Sequence, residues 1–204
     1  MKKMVLVLTL VAFALTGTAF AGDPGYSNNI GLELADGTSC GTVGEDAPFT
    51  AFIVLSKLTN NEVWGWEGRF SFENLLNLGF AFYGDGVDAG TRPDEHLVGL
   101  GTPLLVVDGA VVVGELEYMV NSFYNDIGQP SYVFIEGVYF SLIDPINGPP
   151  AYLEASGSAG VALHNALGDP LDQSGVIPQL TMNGDCWVVS VEESSFGSVK
   201  SLFR

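Results

Sequence analysis

The chain has 204 residues and a formal net charge of −17, with 24 acidic but only 7 basic side chains. So few cations cannot neutralise a row of phosphates, which excludes nucleic-acid binding and attachment to anionic lipid. Hydrophobic residues make up 47% of the chain and charged residues only 15%, which is typical of a folded domain with a core and not of a disordered acidic chain.

Residues 1–21 have the three parts of a secretory signal peptide. Lys2 and Lys3 come before an apolar run from Met4 to Leu15, and small residues follow up to Ala21. The apolar run is shorter than the ~20 residues that a membrane-spanning helix needs. We therefore expect this segment to be removed on export. The remaining chain would be a secreted protein, at an extracellular, cell-surface or periplasmic location, with no membrane span.

The clearest predicted strand covers residues 63–73. Trp64 and Trp66 belong to an aromatic set that alternates with polar residues such as Glu67 and Glu73. A strict two-residue period predicts a strand with its aromatic side chains in the core and its carboxylates in water. One face of an antiparallel sheet can be solvated in this way.

Many more short extended segments follow, separated by glycine, proline, asparagine and aspartate. Strands are predicted at residues 30–34, 49–58, 78–83, 97–100, 104–107, 110–120, 132–142, 151–155, 161–164, 179–182 and 186–191. Between two valine-rich runs, Asp108-Gly109 predicts a two-residue hairpin turn. So many short strands at this spacing predict an all-β fold, an antiparallel β-sandwich or jelly roll, over residues 22–193.

Both cysteines, Cys40 and Cys186, follow the signal segment. An isolated pair in an oxidising compartment favours a single disulfide. The alternative, redox or metal-ligating thiols, has less support because neither residue belongs to a Cys-x-x-Cys pair and no histidine is close in sequence. The predicted disulfide would join the start of the domain to its last strand.

Residues 194–204 break the strand pattern. Phe196, Val199, Leu202 and Phe203 recur at three- and four-residue intervals, which predicts a short amphipathic helix. A helix this short does not persist alone in water, so its apolar side needs a surface on which to dock. Two interpretations stay open: docking on its own domain, and recognition of this tail by an export or assembly machinery.

The tail also carries a resemblance. Its residues read Phe196-Gly197-x-Val199-Lys200-x-Leu202-Phe203-Arg204 and follow Gly184-Asp185-Cys186. This resembles the ending Trp-Gly-x-Ile/Val-Lys-x-Leu-Tyr-Arg of many uncharacterised secreted bacterial proteins. The resemblance implies secretion and a shared sandwich fold, and no reaction. More distantly, the layout is similar to cohesin-type or bacterial immunoglobulin-like sandwiches, which act in adhesion and assembly; this is an analogy at the level of the fold.

Candidate chemistry is sparse, and we expect no enzyme activity, no catalytic residues and no cofactor. Two histidines are too few for a typical hydrolytic zinc site. Glycosidases need only two suitably spaced acids, and Glu136, within an apolar strand, is the carboxylate to consider. Tyr83, Tyr124 and Tyr152, near strand ends or in loops, are placed to contact a ligand such as a sugar.

Calcium is a weaker possibility. Two loops offer the oxygen ligands that hard cations prefer, with Asp85 and Asp88 in one and Asp169 and Asp172 in the other. Neither loop follows an EF-hand or repeat-loop pattern, so we expect solvated acids and no metal.

The leading functional hypothesis is a secreted, non-catalytic β-sandwich that acts in cell-surface structure, adhesion or protein–protein association. Its partners would be other surface proteins or a second copy of the chain. The alternative is an extracellular carbohydrate-binding module or glycoside hydrolase, with polysaccharide as its ligand. An unpaired edge strand or a flat apolar patch favours association, whereas a groove with aromatic rings and two facing acids favours the alternative.

Overall fold

The computed structural model describes residues 26–122, 129–139, 148–167 and 177–186 of the chain. Their strands are β1 (Asn29–Glu33), β2 (Cys40–Gly41), β3 (Pro48–Ser56), β4 (Glu62–Glu73), β5 (Leu75–Phe82), β6 (Gly86–Asp88), β7 (Glu95–Leu105), β8 (Val111–Val120), β9 (Ser131–Glu136), β10 (Ala151–Leu153), β11 (Gly160–Ala162), β12 (His164–Asn165) and β13 (Leu180–Met182). The predicted signal segment 1–21 and the predicted helix at 194–204 lie outside the described residues.

The strands form two stacked sheets, which confirms the predicted all-β sandwich. Sheet A has the order β12-β1-β3-β8-β5. Sheet B has the order β11-β10-β4-β9-β13-β2, and β7 pairs with β4 and in turn with β6. Pairing is antiparallel except for β1 with β12 and β2 with β13, which are parallel. Within the described residues, no helix is long and apolar enough to cross a membrane.

Trp66 of β4 lies at the centre of the core between the sheets. Its side chain is fully buried and meets Phe80 of β5, in the opposite sheet, edge to face at 6.0 Å between ring centroids. The prediction that Trp64 shares this face is wrong. A β-bulge shifts the register of β4 against β7 between Val63 and Gly65, so Val63 points inwards and Trp64 is half-buried, with its Nε1 donating to Glu62 Oε2 at 3.0 Å.

The other face of β4 is not solvated throughout, and the expectation that Glu67 lies in water is wrong. Glu67 is 0% exposed. Its register partners are Leu97 of β7 and Ala151 of β10, so Glu67 has a neighbouring strand on both sides. Tyr139, which follows β9, donates its backbone N–H to Glu95 Oε1 of β7 at 3.2 Å, so the chain directly after β9 covers part of the same outer face.

Turn chemistry and strand boundaries mostly follow the predictions. Asp108 and Gly109 both have positive φ, 51° and 78°, and Val107 and Ala110 exchange two backbone hydrogen bonds of 3.0 Å across them. This is the predicted hairpin. The two strands predicted at residues 97–100 and 104–107 are instead one strand, β7, because β4 pairs with both parts.

Cys40 and Cys186 form the predicted disulfide, with 5.5 Å between their Cα atoms and a sequence separation of 146 residues. The bridge lies where β2 pairs with β13, since Thr181 is the register partner of Cys40. It therefore ties the last described residues of the chain to the region that follows β1.

Candidate functional site

The first candidate site is the strand β5, which forms one edge of sheet A. Among the described residues β5 pairs with β8 alone. Its eight residues include no charged side chain and no proline, and Leu76 and Leu78 are 43% and 48% exposed. Charges and prolines are the usual means by which proteins block the pairing of an edge with another chain. One feature that limits pairing is present, a bulge between Asn77 and Gly79.

The remaining sheet edges of the described structure are much shorter. The other edge of sheet A is β12, with two residues, and sheet B ends in β2, with two, and in β6 and β11, with three each. Very short edge strands offer too few backbone groups to support pairing with a partner. Among the described residues β5 is therefore the longest strand at the end of a sheet, and β7 also has an open side beyond the three residues that pair with β6.

A groove of about 360 Å³ crosses the outer face of sheet A near one end of β5. Its lining is largely apolar and consists of Glu33, Leu34, Ala35, Gly37, Phe52, Val54, Tyr83 and Val112. The turn after β1 forms one wall, where Gly37 has φ 79° and donates its N–H to the carbonyl of Leu34 at 2.9 Å. The volume lies at the low end of the range for small-molecule pockets.

Two carboxylates flank the aromatic ring of Phe52 on this face. Glu33 of β1 and Glu115 of β8 are both register partners of Phe52 in β3. They are thus two strand spacings apart, about 10 Å at ~4.8 Å per strand. Tyr83, which follows β5, donates its hydroxyl to Glu115 Oε2 at 2.6 Å.

Burial controls the ionisation of these groups. It raises the pKa of the Glu33 carboxyl to about 7, so that this carboxyl is partly protonated near neutral pH and can donate a hydrogen bond. Burial, together with the hydrogen bond to Glu115 and the charge of that carboxylate, raises the pKa of Tyr83 to about 12. The groove can therefore hold an apolar group against its lining and offer hydrogen bonds from Glu33 and Tyr83 to polar groups beside it, without a fixed cation among its lining residues.

His96 of β7 and Asp88 of β6 form a second polar site, in sheet B. His96 is 5% exposed, its ring stacks on Phe80 at 3.5 Å between centroids, and its Nδ1 lies 2.8 Å from Asp88 Oδ2. Asp88 Oδ1 accepts from the backbone N–H groups of Gly90 and Leu97, each at 2.9 Å. Burial alone would raise the pKa of Asp88, but these hydrogen bonds and the charge of His96 outweigh it, and the pKa is lowered.

We expect Asp88→Asn to lower the free energy of unfolding by about 1–2 kcal/mol at neutral pH, since it removes a charged hydrogen-bond acceptor. A carboxyl with a lowered pKa stabilises the fold above its ordinary pKa, and that stability is lost as the pH falls through its folded value. The difference between variant and wild type should therefore shrink as the pH falls below the ordinary pKa of aspartate, about 3.9. Urea unfolding across pH measures it, with exposed Asp85→Asn as the control; a pH-independent difference would contradict the assignment.

The structure places the predicted ligand-contact residues in different surroundings. Tyr83 lines the groove. Tyr152 is fully buried and its hydroxyl bonds to Asn28 and Glu154, so the expectation that it lies open to a ligand is wrong. Tyr152 occupies a paired strand, β10, and not a loop. Tyr124 lies outside the described residues.

Glu136 is engaged within sheet B. Its Oε2 lies 2.6 Å from Arg69 Nη2, and Ser71 donates to the same oxygen at 3.3 Å. Arg69 is also its register partner in β4. The structure brings Glu136 near neither Tyr83 nor the groove lining, so the predicted ligand-contact residues do not form one site.

The structure describes only one of the two predicted calcium loops, the one with Asp85 and Asp88. The carboxylate of Asp88 is hydrogen-bonded to His96 and to two backbone N–H groups. The backbone carbonyl of Asp85 accepts a hydrogen bond from the N–H of Gly101 at 2.6 Å. Asp169 and Asp172 lie outside the described residues. In the described parts of the chain, no cluster of three or more His, Cys, Asp or Glu side chains could hold a metal ion.

Comparison with known proteins finds similarity in structure only. No family model matches the chain, and no curated protein does. One similar solved structure is the sixth cohesin of Acetivibrio cellulolyticus scaffoldin B, in complex with a Cel5 dockerin. It has 11% identity and a TM-score of 0.48, and the alignment covers 69% of this chain and 94% of that chain.

Two further cohesins give the same result. The module from a Clostridium perfringens family 33 glycoside hydrolase has 11% identity and a TM-score of 0.45, covering 67% of this chain and 90% of that one. A type II cohesin from the Acetivibrio cellulolyticus cellulosome has 12% identity and a TM-score of 0.43, covering 69% and 92%. Identity and TM-score at this level are consistent with a cohesin-like sandwich layout and carry no argument about function.

Proposed function

We propose that this protein is an extracellular, non-catalytic association module that binds a partner protein by adding a strand of the partner to β5. The observation that carries the proposal is the contrast among the strands that end each sheet: β5 offers eight uncharged residues, whereas the other terminal strands have two or three. Strand addition gains affinity from backbone hydrogen bonds and specificity from alternate side chains.

Charge indicates the chemistry of the partner. The net charge of −17 opposes the close approach of a second copy or of another acidic protein. Beside the open edge, Glu117 of β8 is the register partner of Gly79 in β5, so no side chain of β5 covers that carboxylate. The partner that fits is an extended segment with apolar residues to meet Leu76 and Leu78 and with neutral or basic residues between them.

We expect the double variant Leu76→Lys, Leu78→Lys to bind such a segment at least about tenfold more weakly than wild type, because it removes exposed apolar area and places two charges on the edge. The probes are extended peptides selected against the wild-type protein from a random displayed library. Affinity for the selected peptides is measured by calorimetry on both proteins.

Leu105→Lys is the matched control, since Leu105 is 68% exposed at the end of β7 in sheet B. The proposal predicts that this variant binds the selected peptides as wild type does. Equal weakening by Leu105→Lys, or no weakening by the double variant on β5, would contradict the assignment of the edge. Sedimentation of the wild type in the same buffer reports whether a second copy occupies β5 instead.

The carbohydrate alternative has one observation in its favour, the ring of Phe52 between Glu33 and Glu115 with Tyr83 at its side. Aromatic rings and carboxylates are the groups that hold sugars. A polysaccharide-binding screen tests it directly. Saturable binding that is lost in Phe52→Ala would replace association as the proposed function.

A further inference from the structure

The groove on sheet A is an apolar surface without an occupant among the described residues. Phe52, Val54 and Val112 line it on neighbouring strands, and the turn after β1 closes one end. Exposed apolar grooves of this kind are characteristic of interaction sites. Its occupant must supply apolar side chains and must tolerate the carboxylates of Glu33 and Glu115.

The last described residue of the chain lies near this groove. The last described residue, Cys186, is bonded to Cys40, with 5.5 Å between the Cα atoms. Gly37, in the groove wall, is three residues from Cys40, at most about 11 Å at ~3.8 Å per residue. The ten residues from Cys186 to Phe196 can span up to about 33 Å. The chain after Cys186 is therefore long enough for the segment that begins at residue 194 to reach the groove.

The sequence of residues 194–204 complements the groove chemically. Four large apolar side chains recur at helical spacing, and both charged residues, Lys200 and Arg204, are basic. The groove is apolar with acidic residues beside it, and Glu115 and Glu117 lie on the same outer face of sheet A. Two of the 7 basic side chains of a strongly acidic chain are thus found in this one short segment.

We propose that residues 194–204 dock in this groove on sheet A, with Phe196, Val199, Leu202 and Phe203 against its apolar lining and with Lys200 and Arg204 towards the neighbouring carboxylates. The segment gains from the groove the apolar contacts that a short helix needs in order to persist. The disulfide holds Cys186, eight residues before the segment, near the groove wall and so raises the effective concentration of the segment there. This docking is independent of the edge β5 and of any partner bound to it.

Hydrogen exchange of the full, exported and disulfide-bonded chain tests the proposal. In wild type, the amides of residues 196–204 should exchange at least about tenfold more slowly than in an unstructured peptide of the same sequence. Phe52→Lys places a cation in the groove and should abolish this protection. The control Leu105→Lys adds the same charge to sheet B and should leave it intact.

A second measurement does not depend on how well a groove variant folds. Leu202→Ser with Phe203→Ser alters only the tail, and by uncovering the groove it should increase fluorescence of the apolar dye ANS several-fold. Adding Phe52→Lys to that chain should remove the increase. Unprotected tail amides in wild type, or protection that survives Phe52→Lys, would overturn the proposal. So would saturable polysaccharide binding that needs Phe52 and ignores the tail variants.

Discussion

Replacement of both Cys40 and Cys186 by serine should lower the free energy of unfolding by about 4–5 kcal/mol. The bridge links residues 146 apart in sequence. Its loss restores to the unfolded chain the conformational freedom of that long loop. Guanidinium unfolding of the oxidised wild type and of the double variant measures the difference.

Reduction provides the control for this prediction. A thiol reductant should lower the stability of the wild type to that of the double serine variant, and it should leave the variant unchanged. A loss below about 1 kcal/mol would contradict this account of the bridge, because it would mean that residual structure already restrains the unfolded chain without the disulfide.

Trp66→Ala should lower the free energy of unfolding by about 3–5 kcal/mol, since it leaves a large cavity in the centre of the core. The indole meets Phe70, Phe80 and His96, so its contacts join sheet A to sheet B. Its Nε1 has no hydrogen-bond partner among the described residues. The expected loss is therefore one of apolar burial and packing, and not of a hydrogen bond.

Trp64→Ala is the matched control, two residues away on the same strand. Trp64 is half-buried and bonds to Glu62, so its removal should cost about 1 kcal/mol. Urea unfolding of both variants gives the comparison. Equal losses would mean that the bulge in β4 does not separate the surroundings of the two residues as described.

The comparison of these two tryptophans also shows which parts of the fold can be predicted from the sequence and which cannot. Alternation along residues 63–73 predicts the strand and its aromatic face correctly at Trp66. It fails at Trp64 because a bulge adds one residue, and a bulge leaves no mark in the hydrophobic pattern. It fails at Glu67, which is buried at the point where β4 pairs with both β7 and β10, a long-range feature of the topology.

The candidate sites were harder to predict from the sequence than the fold, because they depend on which strands are neighbours in the sheets. The disulfide was predictable from the cysteine count, whereas ligand contact at Tyr83, which lines the groove, stays a prediction. The groove was missed because it requires the register of three strands, which alone places Glu33 and Glu115 on either side of Phe52. The edge was missed because the composition of β5, although visible as an uncharged run, does not reveal that one side of the strand is unpaired.

Strand addition to β5 is tested most directly by the hydrogen-exchange footprint of a bound, library-selected peptide on the wild-type protein. We predict new protection of backbone amides within Leu75–Phe82, the open edge of sheet A, and no change in β2, β6 or β11. Protection confined to the groove around Phe52, or an unchanged exchange rate along β5 at saturating peptide, would contradict the proposed mode of association.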